Sequence, residues 1–169
     1  VPATFFVVGT NARANPGIIA RMVREGHVVG NHTLDHPQLT RLAEADIRNE
    51  IVMTNDIVRE AAGVTPSLLR PPFGATNDSV SAVAAELDMA LVNWNVDPQD
   101  WKDRDSGIVA QRVLSSTRNG SIVLSHDIHA TTREAYAGII DELRAEGFTL
   151  VTVPDLLDSI EPGVLYYSR

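Results

Sequence analysis

Short apolar runs alternate with segments of helical periodicity along all 169 residues, and this alternation restricts the fold more than any other feature. The runs at 5–8, 27–31, 67–70, 89–96, 121–125 and 148–151 read as strands. Between them lie helical segments with recognisable ends. Asn15 caps a helix that has Pro16 at its first position, an apolar face of Ile18, Ile19, Met22 and Val23, and Gly26 past its end. A second helix, 40–62, carries Leu42, Ile47, Ile51, Ile57 and Val58 as its stripe and stops at Gly63 and Pro66. Further helices span 78–87 (capped by Asn77 or Asp78), 106–117, 132–146 and 154–160, with Gly9 closing the first strand and no clear element in the tail. Parallel strands need helix-length crossovers, so the pattern implies α/β architecture with parallel strands covered by helices.

A chain of this length is most simply one domain, 1–169. About six strand–helix units are too few for a regular eight-unit barrel. Polar clusters follow several runs, which favours an irregular (β/α) barrel over an open sheet, because barrel sites gather at strand C-termini. The chain has no cysteine, which excludes thiolate ligands, cysteine nucleophiles and disulfides. A net charge of −8 argues against nucleic acid as partner and leaves neutral glycans open. No apolar run reaches the length of about eighteen residues that a membrane span needs.

Four clusters fall at the common strand-end face: His32 and His36; Arg70 to Gly74; Asp97, Asp100 and Trp101; and His126, Asp127 and His129. Two histidines four residues apart, in a helix or tight loop, lie on one face about 5–6 Å apart at Cβ. Both imidazoles can then reach one divalent ion, which suits zinc or a neighbouring transition metal. Each cluster also has an ordinary explanation by itself. The two histidines would pass as surface residues, Arg70 as the partner of a surface acid, Asp97 and Asp100 as turn caps, Trp101 as core and His126 as a satisfied buried histidine. Their recurrence after successive strands favours a site. Ser125-His126-Asp127 is not a triad, because neighbours along a strand face opposite ways. His27 and Trp94 read as packing residues, and the Asn-x-Ser/Thr matches at Asn31, Asn77 and Asn119 as chance.

Five stretches in this order, VPATFFVVG, HTLDH, RPPFG, DPQDW and LSHDIH, resemble the polysaccharide deacetylases, the NodB-like carbohydrate esterases of family four. The resemblance spans essentially the whole chain. It implies an irregular (β/α) barrel and metal-dependent hydrolysis of acetyl groups from N-acetylglucosamine polymers, peptidoglycan or chitin, or from acetylated xylan. It assigns His32 and His36 to a divalent metal, zinc before cobalt or manganese. By the same resemblance Arg70 orients the catalytic base, Phe73 offers its backbone N–H to the oxyanion, and Trp101 and Leu124 wall the acetyl-methyl pocket. His126 is then the general acid, Asp97 the acid that tunes it, and Asp100 a second partner, of Arg70. His129 has no role in this scheme.

One departure from the family pattern stands out. The Thr-Phe-Asp-Asp-Gly motif, which would supply the base and a third metal ligand, does not occur in the chain. The resemblance therefore implies an N-terminally incomplete domain whose first strand comes from a companion segment, with Asp35 and Asp127 poor substitutes. A chain lacking that strand is expected to be unstable or to self-associate through an open edge. The polymer substrates imply an extracellular or cell-surface location. The other reading is a catalytically silent glycan-binding module.

Overall fold

The computed structural model describes residues 1–169, which form two compact units, Val1–Asn93 with Val151–Tyr166 and Trp94–Leu150 with Tyr167–Arg169. The first unit opens with β1 (Thr4–Val7). Gly9 does not lead into a loop; it starts helix α1 (Gly9–Ala14), which is followed by α2 (Pro16–Arg24). A Cβ at Gly9 would lie 2.6 Å from Thr54 Oγ1, so the close approach of that short, buried side chain requires glycine there. After β2 (Val28–Asn31) comes a single 3₁₀ turn at Leu39–Arg41, so the long helix expected from residue 40 begins later, as α3 (Glu44–Ala62). Gly63 ends it at φ 72°, a left-handed cap that other residues adopt at a cost. Then follow β3 (Leu68–Leu69), α4 (Asp78–Glu86) and β4 (Ala90–Val92). Asn77 is the cap of α4, its Oδ1 accepting the Val80 N–H at 3.0 Å.

The second unit holds α5 (Asp100–Asp103), α6 (Ser106–Ser116) and α7 (Ala130–Ala145). The short α5 has no signal in the sequence. Val109 and Val113 of α6 pack against Ala135, Ile139 and Leu143 of α7. The run at 121–125 is not a continuous strand; it makes isolated bridges, Val96 to Val123 and Ser121 to Ser168. The run at 148–151 forms no strand either. Phe148 and Leu150 pack onto the α6–α7 cluster, so their apolar alternation is satisfied by helices instead of a sheet.

The chain then returns to the first unit through α8 (Val153–Leu156), shorter than expected, and the tail contributes an unexpected strand, β5 (Leu165–Tyr166). The five strands are all parallel and stand in sequence order, β1-β2-β3-β4-β5. A doubly wound sheet reverses its strand order at a switch point. This sheet does not, and its parallel strands in barrel order agree with the expected α/β class. The register pairs Val7 with Asn31, Asn31 with Leu69 and Leu69 with Leu91, which aligns the C-terminal ends of the first four strands. No helix is long and apolar enough to cross a membrane.

Ile47 and Ile51 of α3, Val80 and Val83 of α4, and Leu69 and Leu91 of the sheet form one cluster with little or no exposure. β1 differs. It lies at a sheet edge, and all four residues stay half-buried, although its apolar run reads as a fully buried strand. His27 is a packing residue as expected, its Nδ1 accepting the Ala3 N–H at 3.1 Å and its ring edge-on to Phe5. Truncating Ile51, fully buried at the centre of the α3 interface, to alanine is expected to lower stability by about 2–5 kcal/mol, read from chemical denaturation.

Candidate active site

His32 follows β2 directly. Its Nδ1 lies 2.6 Å from the Arg70 carbonyl oxygen, the residue that follows β3. A carbonyl can only accept, so the neutral ring carries its proton on Nδ1 and its lone pair on Nε2. That tautomer suits a metal ligand. His36 reaches the same place through a loop and not a helix, with Thr33 at φ 67° and His36 at φ 68°. Left-handed backbone at a β-branched residue is strained, so something must hold it.

The loop is held mainly by buried polar groups. The fully buried Asn31 accepts the Thr33 N–H at 2.8 Å and donates to Ile51 O and Asn55 Oδ1. Thr33 Oγ1 accepts the His36 N–H at 3.1 Å, and its carbonyl accepts the Gly9 N–H. Glu50 Oε2 accepts the N–H groups of Leu34 and Asp35, at 2.8 and 3.3 Å. Burial raises the Glu50 pKa against the lowering effect of those two bonds. The outcome is a His32–His36 pair with ring centroids 4.7 Å apart. Asn55 and Glu50 were not singled out in the sequence, and Asn31 stood out only as a chance Asn-x-Thr match, because nothing separates the three from other polar residues of a strand end or helix.

Two adjacent imidazoles fit as two donors to a divalent ion. No group of three or more His, Cys, Asp or Glu side chains in the chain could hold one by itself. The pair alone is not a complete donor set.

Arg70 is buried, its Nε donating to Val92 O at 3.1 Å and its Nη2 to Asn93 O at 3.3 Å. The guanidinium carbon sits 4.2 Å above the Phe6 ring, a cation–π contact. Gly30 makes room for that ring, since a Cβ there would lie 2.6 Å from it. Burial pulls the Arg70 pKa down to about 10, which leaves it charged at neutral pH. Phe73 stands in the turn Pro72–Gly74 at φ 62°, with its ring 68 % exposed residue-wise and edge-on to His36 at 4.9 Å. Asn93 Nδ2 pins this turn through the Gly74 carbonyl at 3.0 Å.

In the second unit the decisive group is Asp100. Its side chain is fully buried. Oδ1 accepts from His126 Nδ1 at 2.8 Å, and Oδ2 accepts from the His126 N–H at 2.7 Å and Thr132 Oγ1 at 2.9 Å. Burial alone would raise the Asp100 pKa; the bonds from His126 and Thr132 outweigh it and hold it below the ordinary carboxylate value. This corrects the expected roles. Asp97, expected to tune His126, is exposed, and its carboxylate accepts the Gln99 N–H at 2.7 Å, a local turn contact. Asp100, expected to be a partner of Arg70, is the acid on His126. An aspartate before proline signals a turn, and that cue in Asp97-Pro98 could have separated the two.

Leu124 is buried next to this pair in sequence, its N–H bonded to Val96 O at 2.9 Å, and Trp101 is half-exposed beside Asp100 in α5. Ser125 Oγ is bonded to the Leu124 carbonyl and to Tyr136 Oη, so it takes no part in a triad. The His129 ring lies 6.2 Å from that of His126, its pKa lowered by burial and then by Arg104. Asp127 is exposed.

The Asp100 pKa is depressed in the folded state, so its stabilising contribution is complete above the unfolded value near about 3.9 and is lost as pH falls through the folded value. Thermal melts should show that acid loss, and Asp100→Asn should flatten it while lowering stability at neutral pH.

Comparisons with known proteins show what the chain is similar to. A family model described as polysaccharide deacetylase matches residues 1–92. The peptidoglycan-N-acetylglucosamine deacetylase PgdA of Listeria monocytogenes is 39 % identical over 170 residues, covering 100 % of this chain and 36 % of that protein. The chain thus spans about a third of the length of that relative. Among solved structures, a T48 deacetylase with substrate superposes with a TM-score of 0.94 at 39 % identity, over 98 % of this chain and 82 % of that one. A family 4 acetyl xylan esterase from Clostridium thermocellum, in complex with a cobalt ion, gives 0.93 at 31 % identity, over 99 % and 85 %. With a family match over more than half its length and these relatives over nearly all of it, the chain belongs to the polysaccharide deacetylase family.

Proposed function

We propose that the chain belongs to a metal-dependent deacetylase that hydrolyses acetyl groups on N-acetylglucosamine units of peptidoglycan or chitin. The observation that carries this is the Asp100–His126 pair. A buried, ionised carboxylate accepts from Nδ1 and fixes the ring, so that in the protonated ring Nε2–H is the hydrogen placed to donate. In the proposed reaction water adds to the acetyl carbonyl, the C–N bond breaks, and the departing nitrogen takes the His126 proton, giving acetate and a free amine. The Phe73 N–H would bond the oxyanion, and Trp101 and Leu124 would bound a pocket too small for longer acyl groups. A divalent ion on His32 and His36, zinc before cobalt or manganese, would supply Lewis acidity. The remaining donor and the catalytic base would come from a companion segment, and a polymeric wall substrate would set the work at the cell surface.

Acetylated xylan is the alternative substrate, supported by the likeness to the xylan esterase. A silent glycan-binding module is the second reading, favoured by the incomplete donor set.

Acetate release from an N-acetylglucosamine oligomer, with zinc and with chelator, tests the proposal. Zinc-dependent release is expected once an upstream segment with the Asp-Asp motif is supplied; no release from that combination would leave the silent module. In the active combination His126→Ala should lower turnover about 100-fold or more with zinc stoichiometry unchanged. His32→Ala should abolish zinc binding, and retained stoichiometric zinc would sink the ligand assignment.

A further inference from the structure

Thr132 lies in the first turn of α7 and is 1 % exposed. A threonine in a helix ordinarily returns its hydroxyl to a carbonyl three or four residues back. Thr132 instead donates to Asp100 Oδ2 at 2.9 Å, a residue 32 positions away. Oδ2 also accepts the His126 N–H, so this oxygen is held from two directions. Two donors on one oxygen fix the rotation of the carboxylate about its Cβ–Cγ bond, and the other oxygen then points at His126 Nδ1.

We infer that Thr132 is a positioning residue for the proton donor, setting the orientation and charge of Asp100 and through it the protonated position of the His126 ring. This rests on the proposed role of His126. One turn further along α7, the Tyr136 hydroxyl bonds Ser125 Oγ, so residues at i and i+4 of one helix face brace the segment that carries His126. The hydroxyl contributes to the bond set that holds the Asp100 carboxylate ionised in a fully buried place. His126, His129 and Tyr136 also interact electrostatically with Asp100, and all three side chains are retained in the Thr132 variants.

The experiment compares the chain with its Thr132→Val and Thr132→Ser variants by NMR. It follows the Asp100 side-chain carboxyl carbon through an acid titration and the His126 Nδ1 proton at neutral pH. Valine keeps the shape and removes the hydroxyl. The expected result is an upward shift of the Asp100 titration and loss of the slowly exchanging Nδ1 proton signal in the valine variant, with serine restoring both. An Asp100 titration unmoved by valine would overturn the inference. Should valine prevent folding, alanine against serine makes the same comparison, and a serine variant that titrates like alanine would overturn it. These readouts need no turnover. Absence of acetate release together with a shifted titration would count against the proposed activity and leave the positioning role standing.

Discussion

Two of the three imidazoles assigned chemistry here are fixed by the same interaction, an Nδ1–H donated to a buried oxygen that can only accept. For His32 the acceptor is the Arg70 carbonyl, and for His126 it is the Asp100 carboxylate. The chemical difference between the rings follows from the acceptor. A neutral carbonyl fixes a tautomer and leaves a lone pair for a metal. An ionised carboxylate fixes the same tautomer through a charge-assisted bond and orients the ring that is to donate its proton. The rest of each unit can be understood as holding those two oxygens in place.

In the first unit that work falls to the sheet and to α3. Register alignment of β2 and β3 brings the Arg70 carbonyl beside His32, while Asn31, Asn55 and Glu50 restrain the strained Thr33–His36 turn. Strain of this kind costs on the order of 1–3 kcal/mol per residue and persists only where the surroundings over-determine it. In the second unit the restraint is side chain to side chain, with α7 bracing a segment that has only isolated sheet bridges of its own.

The architecture was legible where a local backbone rule decided it. The Asn77 cap, Pro16 at a helix start, Gly63 at a helix end and the His32–His36 spacing are all local, and the structure has each of them. Legibility failed where tertiary packing chose between locally equivalent options. Phe148 and Leu150 alternate as a strand would, yet face helices. Leu165 and Tyr166 form a strand because β4 lies beside them, which a two-residue run cannot announce. Asp97 and Asp100 share one motif, and beyond the Asp97-Pro98 turn cue it is the left-handed Gln99 between them, φ 55°, that accompanies the buried placement of one and the exposure of the other. Thr132 gave no signal, because its partner is remote in sequence.

The central claim is the tautomer of the two rings, and long-range proton–nitrogen correlation NMR on the metal-free chain reads it directly. Above the pH at which the imidazoles lose their second proton, the account predicts that His32 and His126 both carry hydrogen on Nδ1 and a bare Nε2. Hydrogen on Nε2 of either neutral ring would contradict it, since the acceptor that defines that ring's role would then be facing an unprotonated nitrogen.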